Sequence, residues 1–508
     1  MATQLLTEKY AESLDGVLGC YDRLVITGSL RELCYAKGMT HYLYAHDIRI
    51  FDYTGFTAPL REALCANAAT IAKAAGLKIE FIRKKDFRKE DRIHALVAQR
   101  GTQPGLVHVF SAMEPCASYR PWHDKASGHT YVKPDSGKCL HYYFYFIDPD
   151  LGLCYLRVPT WCPFRLQFYC NGHARLAAQL AEQQIGATAL DNAFMHIDDY
   201  DRANDLAAQW DGQWLRQKLD DYAKQYCPVG DTLHLSYYWS LMQVEYALDL
   251  VFKTPTALSA FYPHLLETLI HAVKPQDIAT FLGKKLHGNY QGEVGNNLNT
   301  RILGTRIKHH MGPASIKMYD KFGRILRIEV TVNDVSFFQQ HREVVHRNGE
   351  REIKWAPMQK TIASLAPLRE VLAAATQRYL KFLSDVATPE VGVQTLNHLT
   401  QTLVEGQHRY KGFTLLSEED TSLFRLLLHG EFAISGFSNK ALRQFLPDQT
   451  SAQVSRLLKR LRVFKLIKKV GQRYKYYLSD FGRQVATMVL KLRELHVIPE
   501  LAHPTPAA

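Results

Sequence analysis

The alternation of apolar and polar positions divides the chain into blocks with different periods. Between residues 20 and 115, strand-like and helix-like segments take turns. Asp22–Thr27 reads as a strand closed by Gly28, Ala58–Ala75 as an alanine-rich helix, Lys78–Arg83 as a strand, Lys89–Gln99 as a helix and Leu106–Ser111 as a strand. This rhythm predicts an α/β region over 1–115. A polar, turn-rich stretch follows, then aromatic strands at Leu140–Ile147, Leu153–Val158 and Phe164–Tyr169. Helices at His173–Gln184, Asp201–Trp210 and Gln213–Tyr226 complete a block over 116–230. Tyr237–Phe252 is the most apolar segment and is predicted as a helix. Glu245 and Asp249 lie four apart on it, so both carboxylates point the same way.

The third block, 231–390, contains a hairpin: strands Ser315–Tyr319 and Ile325–Val332 around a turn with Gly323. Alternation puts Leu326, Ile328, Val330 and Val332 on one face of the return strand and Arg327, Glu329 and Thr331 on the other. Lys317 and Tyr319 alternate in the same way with Ile316 and Met318, so a polar face of Lys317, Tyr319, Arg327 and Glu329 is expected across the two strands. After a linker, 391–414, the pattern becomes helical again. Glu419–His429 is amphipathic and Asn439–Phe445 is a short helix ended by Leu446-Pro447. A third helix starting at Thr450 carries Val454, Leu457, Leu458 and Leu461 on one face. Strands Leu466–Val470 and Tyr474–Leu478 flank the turn Gly471-Gln472. This is the element order of a winged helix-turn-helix over 415–495, with a tail at 496–508. The fold class expected for the whole chain is multidomain α+β.

Composition narrows the function classes. At 508 residues the chain is too long for one ordinary core. The formal net charge of +12 favours a polyanionic partner. The third helix and the hairpin supply candidate DNA contacts: Gln453, Ser455, Arg456, Lys459, Arg460 and Arg462, then Lys468, Lys469, Arg473 and Lys475. Nine cysteines without a CxxC pair fit a reducing cytosol, and Cys116, His123, His129 and Cys139 match no zinc spacing. The N-terminus lacks an apolar signal core and no run is long enough for a bilayer, so a cytoplasmic protein without membrane partners is expected. Gly28 opens no GxGxxG and there is no GxxxxGK[ST], so no nucleotide cofactor is expected. Oligomeric state stays open.

The helix–helix–helix–hairpin order at 415–495 resembles the winged-helix domains of MarR-type bacterial regulators. The chain as a whole is similar to a family of uncharacterised bacterial proteins that carry such a domain at the C-terminus. The run Ile316–Lys321, with Tyr319-Asp320-Lys321 followed by Arg327-x-Glu329, resembles a motif of rolling-circle replication initiators and relaxases. No histidine-hydrophobe-histidine pair accompanies it. The resemblance implies a DNA-binding protein of replication or mobile-element type whose central domain nicks one strand. Tyr319 would be the nucleophile, assisted by Lys317, Arg327 or Lys321. Glu329, with Asp320 or with Glu245 and Asp249, would hold Mg2+ or Mn2+. Two alternatives remain open: a non-enzymatic MarR-like regulator with a large effector or partner domain, and an RNA-binding protein that stacks bases on Tyr143 and Tyr145. Burial is the expectation for those two tyrosines.

Overall fold

Long runs of β-branched and aromatic residues set the architecture of the first 387 positions. In this computed structural model the chain is described over residues 4–502, except 85, 287–291, 302–303, 347, 387–388 and 471–473. It divides into two compact units, residues 1–387 and 388–508. The fold is α+β, as the sequence predicts.

The first unit is built on one sheet. Its strands are β1 (Leu14–Leu30), β2 (Glu80–Phe81), β3 (Gly105–His123), β4 (Thr130–Asp148), β5 (Gly152–Pro159) and β6 (Leu166–Asn171). After a small separate hairpin, β7 (Ala187–Ala189) and β8 (Phe194–Ile197), come β9 (Tyr237–Phe252), β10 (Val294–Arg301), β11 (Gly304–Met311), β12 (Ala314–Lys321) and β13 (Ile325–Val332). The 11-stranded order is β10-β11-β12-β13-β9-β1-β6-β5-β4-β3-β2. All neighbours are antiparallel except β2 and β3, whose pairing is parallel. The α/β rhythm expected at the N-terminus therefore becomes a mostly antiparallel sheet. The expected boundary at 115/116 falls inside β3, and that at 230/231 falls between two strands of the same sheet. The stretch after residue 115, expected to be turn-rich, is the outer part of the β3–β4 hairpin, paired out to His123 opposite Thr130.

The largest correction concerns Tyr237–Phe252, which is strand β9 and not a helix. It lies between β13 and β1 near the middle of the sheet. Apolar residues on both of its faces hide the two-residue period, and length then favours a helix. Glu245 and Asp249 still share a face, because four is also an even number of strand positions. However, they stand roughly 13 Å apart instead of one helical turn.

One face of the sheet carries the main core. Leu24, Val244, Leu248, Ile316, Met318, Ile328 and Phe168 pack there with Leu368, Leu372 and Tyr379 of the helix Leu365–Val386. The second face has three smaller apolar clusters, one of them made of Ala193, Val251 and Ile325. Leu18 and Cys20 lie under the helices Gly172–Glu182 and Tyr200–Ala208, and Phe110, Tyr143 and Tyr145 lie under Ile93 of the helix Lys89–Arg100. Tyr143 and Tyr145 are thus buried, as expected, and offer no exposed platform. The unit also holds the hairpin β14 (Gln339–Val345) and β15 (Arg351–Pro357).

The second unit begins with the helix Pro389–Thr400 and the hairpin β16 (Leu403–Glu405) and β17 (His408–Tyr410), so the expected linker is itself largely structured. Then come the helices Glu418–Leu427, Gly430–Ser435, Asn439–Phe445 and Ser451–Val463, the hairpin β18 (Ile467–Lys469) and β19 (Tyr476–Leu478), and the helix Asp480–Leu492. Ser417, Ser438, Thr450 and Ser479 cap four of these helices by accepting from backbone amides. The core joins Phe424, Leu442, Val454, Leu458, Leu461, Ile467 and Val485. The hairpin turn Gly471-Gln472 and Arg473 lie outside the described residues.

Candidate metal centre

The second face of the sheet becomes polar where β13, β9 and β1 run side by side. Lys317 lies opposite Glu329 and Tyr319 opposite Arg327 across β12–β13, while Arg327 faces Asp249 and Thr331 faces Glu245 across β13–β9. The polar hairpin face read from the sequence is therefore present, and both carboxylates of β9 join it.

A third strand adds the residue that completes the site. The β1–β9 register pairs Tyr21 with Tyr246 and then Arg23 with Glu245, leaving Asp22 as the extra residue of a β-bulge. Tyr21 and Leu24, three positions apart, both join the main core, which strict alternation forbids. The bulge absorbs the mismatch: Asp22 follows Leu18 and Cys20 onto the second face, and Arg23 joins it there. Carboxylate oxygens of Asp22, Glu245 and Glu329 then lie within 4.8 Å of one another. Asp22 and Glu329 are buried, and Glu245 is half-buried.

The electrostatics of the three carboxylates differ. Burial, followed by the charge of Glu329, raises the Glu245 carboxyl from its ordinary value to about 7, with Lys317 opposing the shift. It accepts a long hydrogen bond of 3.4 Å from Thr331 Oγ1. Burial also works against ionisation of Asp22, but the hydrogen bond with His173 and the Arg327 charge outweigh it and hold its carboxyl well below the usual range. Asn171 Nδ2 and Asn192 Nδ2 donate to Asp22 Oδ1 at 3.1 and 2.7 Å. Glu329 is ion-paired with Lys317 and accepts from the Tyr319 hydroxyl at 2.8 Å. Buried like charges at this spacing repel unless a proton or a cation lies among them. Oxygen donors of this kind suit a hard divalent cation, Mg2+ or Mn2+.

The remaining sequence candidates have other duties. Arg327 is fully buried. Its Nε and Nη2 donate to the two oxygens of Asp249 at 2.6 Å each, and its Nη1 lies 3.4 Å from Asp22 Oδ2. Asp249 is thereby held ionised against burial by the Arg327 charge, and as a fork-bound carboxylate it is a structural partner instead of a metal ligand. Arg327 likewise braces Asp22 and does not assist a nucleophile. Asp320 lies opposite Leu326, on the core face with Met318, and so cannot join the carboxylates. Asp22 was not among the sequence candidates. The signal that points to it is the charged pair Asp22-Arg23 interrupting an otherwise apolar strand.

In the second unit the basic residues fall into two groups. Gln453, Ser455, Arg456, Arg462, Lys468 and Lys475 are exposed. Ser455 accepts from Asn439 Nδ2 at 2.8 Å, and Gln453 closes the capping box with Thr450. Lys459 is paired with Glu405 and Lys469 lies 4.5 Å from the Tyr474 ring centre. Arg460 is a brace: it donates to the carbonyls of Lys411 and Gly412 at 2.9 and 2.8 Å and covers the Phe413 ring at 3.9 Å. Beside this helix lies a cleft of about 600 Å³ lined by His408, Arg409, Lys411, Gln453 and Arg456. No helix among the described residues is long and apolar enough to cross a membrane.

No family model and no curated protein matches the chain. A solved structure, the class II 3-hydroxy-3-methylglutaryl-CoA reductase from Streptococcus pneumoniae bound to NADPH in open conformations, matches at 9% identity over 90% of this chain and 80% of that one, with a TM-score of 0.18. At that score the likeness lends neither fold nor activity to this chain.

The expected function is corrected. The geometry removes the chemical step on which the expectation turned. Burial and the adjacent Glu329 charge push the Tyr319 hydroxyl far above its ordinary value, only partly offset by Arg327. The phenol is a neutral donor to a carboxylate and not an activated nucleophile.

Proposed function

We propose that the first unit binds one divalent cation, Mg2+ or Mn2+, through Asp22, Glu245 and Glu329, and uses it to hydrolyse a phosphoester with metal-bound water as the nucleophile. The observation that carries this reading is the convergence of three carboxylates within 4.8 Å on a largely buried face, one of them raised to about 7. A bound divalent cation lowers the pKa of its water and offsets charge on phosphoryl oxygens. Lys317, paired with Glu329, adds positive charge at the same place. Tyr319 keeps Glu329 oriented by donating to it, the duty of an outer-shell partner.

The reading includes a polyanionic partner, a nucleic acid in the first instance. Its support is the net charge of +12 and, in the second unit, the exposed Arg456, Arg462, Lys468 and Lys475 with the adjoining basic cleft. It also includes a cytoplasmic location, supported by nine cysteines that are all free.

The test is hydrolysis of bis(p-nitrophenyl) phosphate by the full chain with Mn2+. Hydrolysis that is lost with EDTA or in Glu329→Gln, yet retained within about tenfold in Tyr319→Phe, is expected. A rate unchanged by Glu329→Gln would overturn the proposal.

A further inference from the structure

The polar face does not end at Asp22. Across the sheet its next positions are Asn171 and Tyr169 on β6 and Tyr155 on β5, with Arg23 opposite Asn171 and Tyr155 opposite Tyr169. A cavity of about 400 Å³ opens here, lined among others by Arg23, Tyr155, Tyr169, Asn171 and Asn192. That volume lies in the range of small-ligand sites. The Tyr155 and Tyr169 rings are parallel within 12° at 5.1 Å, and both are half-buried. The guanidinium of Arg23, an exposed residue, lies 5.4 Å from the Tyr169 ring centre. Burial raises both phenols, so the rings are neutral at ordinary pH.

The cavity joins the metal centre through shared residues. Asn171 and Asn192 line it and both donate to Asp22. Arg23 lines it and lies opposite Glu245 in the β1–β9 register. A ligand held here meets the stacked Tyr155–Tyr169 pair and the exposed Arg23 beside it, and Asn171 and Asn192 stand between it and the Asp22 carboxylate.

We propose that the Tyr155–Tyr169 shelf holds the base of a nucleotidyl substrate whose phosphate lies at the Asp22–Glu245–Glu329 site, with Arg23 bridging the two. The proposal rests on the metal-centre reading and names its substrate class. A base meets the shelf by ring stacking, which every nucleobase offers, so selectivity for a nucleotide over a plain phosphate ester is expected with little preference among bases. Arg23 can stack on the ring and pair with the phosphate, using its planar donors.

The experiment compares two probes on the full chain with Mn2+: thymidine 5′-monophosphate and ribose 5-phosphate, which lacks the base. The nucleotide is expected to bind roughly 5- to 150-fold more tightly, the range that one stacked base gives. Tyr169→Leu should remove most of that advantage and Tyr169→Phe should keep it, while Mn2+ affinity stays unchanged in both. Arg23→Gln should weaken both probes. If Mn2+ binds but the two probes bind equally, or neither binds, the shelf proposal falls and the metal centre stands. If Mn2+ itself does not bind, the metal-centre reading falls. A base advantage that survives in Tyr169→Leu and in Tyr155→Leu would also overturn the shelf.

Discussion

Asp22 illustrates how much one inserted position can do. It follows Leu18 and Cys20 onto the second face, and the bulge at Tyr21/Arg23 adds Arg23 beside it while returning Leu24 to the main core. There it meets Glu245 and Glu329, which come from strands far away in the chain. The proton on Glu245 then becomes a reporter of the site. Its carboxyl is raised from 4.5 to about 7. Between those values the metal-free folded chain holds a proton that the unfolded chain has lost, so this group's contribution to stability falls as pH rises from 4.5 to 7 and is level above. A cation must displace that proton, so Mn2+ should bind about tenfold more weakly at pH 6 than at pH 8, with little change from pH 8 to 9. Calorimetric titration at these pH values checks this, and equal affinity at pH 6 and 8 would contradict it. Arg327 and Asp249 lead to a prediction of a different kind. Asp249→Asn leaves a fully buried guanidinium short of one charge partner and should cost about 3–5 kcal/mol in urea unfolding, with no requirement for metal in the assay.

The individual elements were legible wherever one face is apolar and the other polar. Strands β12 and β13 were readable in faces as well as in extent, because Leu326, Ile328, Val330 and Val332 alternate strictly with Arg327, Glu329 and Thr331. The helices of the second unit were readable from their caps and apolar stripes. Strand β9 was not, because it is apolar on both sides, and a continuous apolar run carries no period. The β3–β4 hairpin beyond residue 115 was not either: its outer residues are polar on an exposed ribbon, and polarity resembles a loop when no core forces alternation. Within the helix Ser451–Val463, charge alone could not separate contact residues from braces. Arg460→Ala removes two donors to backbone carbonyls and a ring contact and should destabilise the second unit by roughly 2–3 kcal/mol. Arg456→Ala, at an exposed position, should change its stability by no more than about 0.5 kcal/mol. Thermal or urea unfolding of the two variants separates them, and equal effects would mean that Arg460 is not a brace.

At the scale of the molecule, strand order hides the site from sequence. The N-terminal strand β1 lies between β9 and β6, so the carboxylates meet only because distant segments become neighbours. Blocks drawn from local texture could not find that sheet. The polar hairpin was legible, along with two of the three carboxylates. The third and the buried Arg327 network required the fold. The most direct measurement is a titration of the full chain with Mn2+ at pH 8, followed by electron paramagnetic resonance of the free ion. The account predicts one bound ion per chain in the wild type. It also predicts affinity lowered at least about tenfold in each of Asp22→Asn, Glu245→Gln and Glu329→Gln, and nearly unchanged in Asp320→Asn, whose carboxyl faces the other side of the sheet. No bound ion, or an ion whose affinity is indifferent to all three carboxylates, would contradict it.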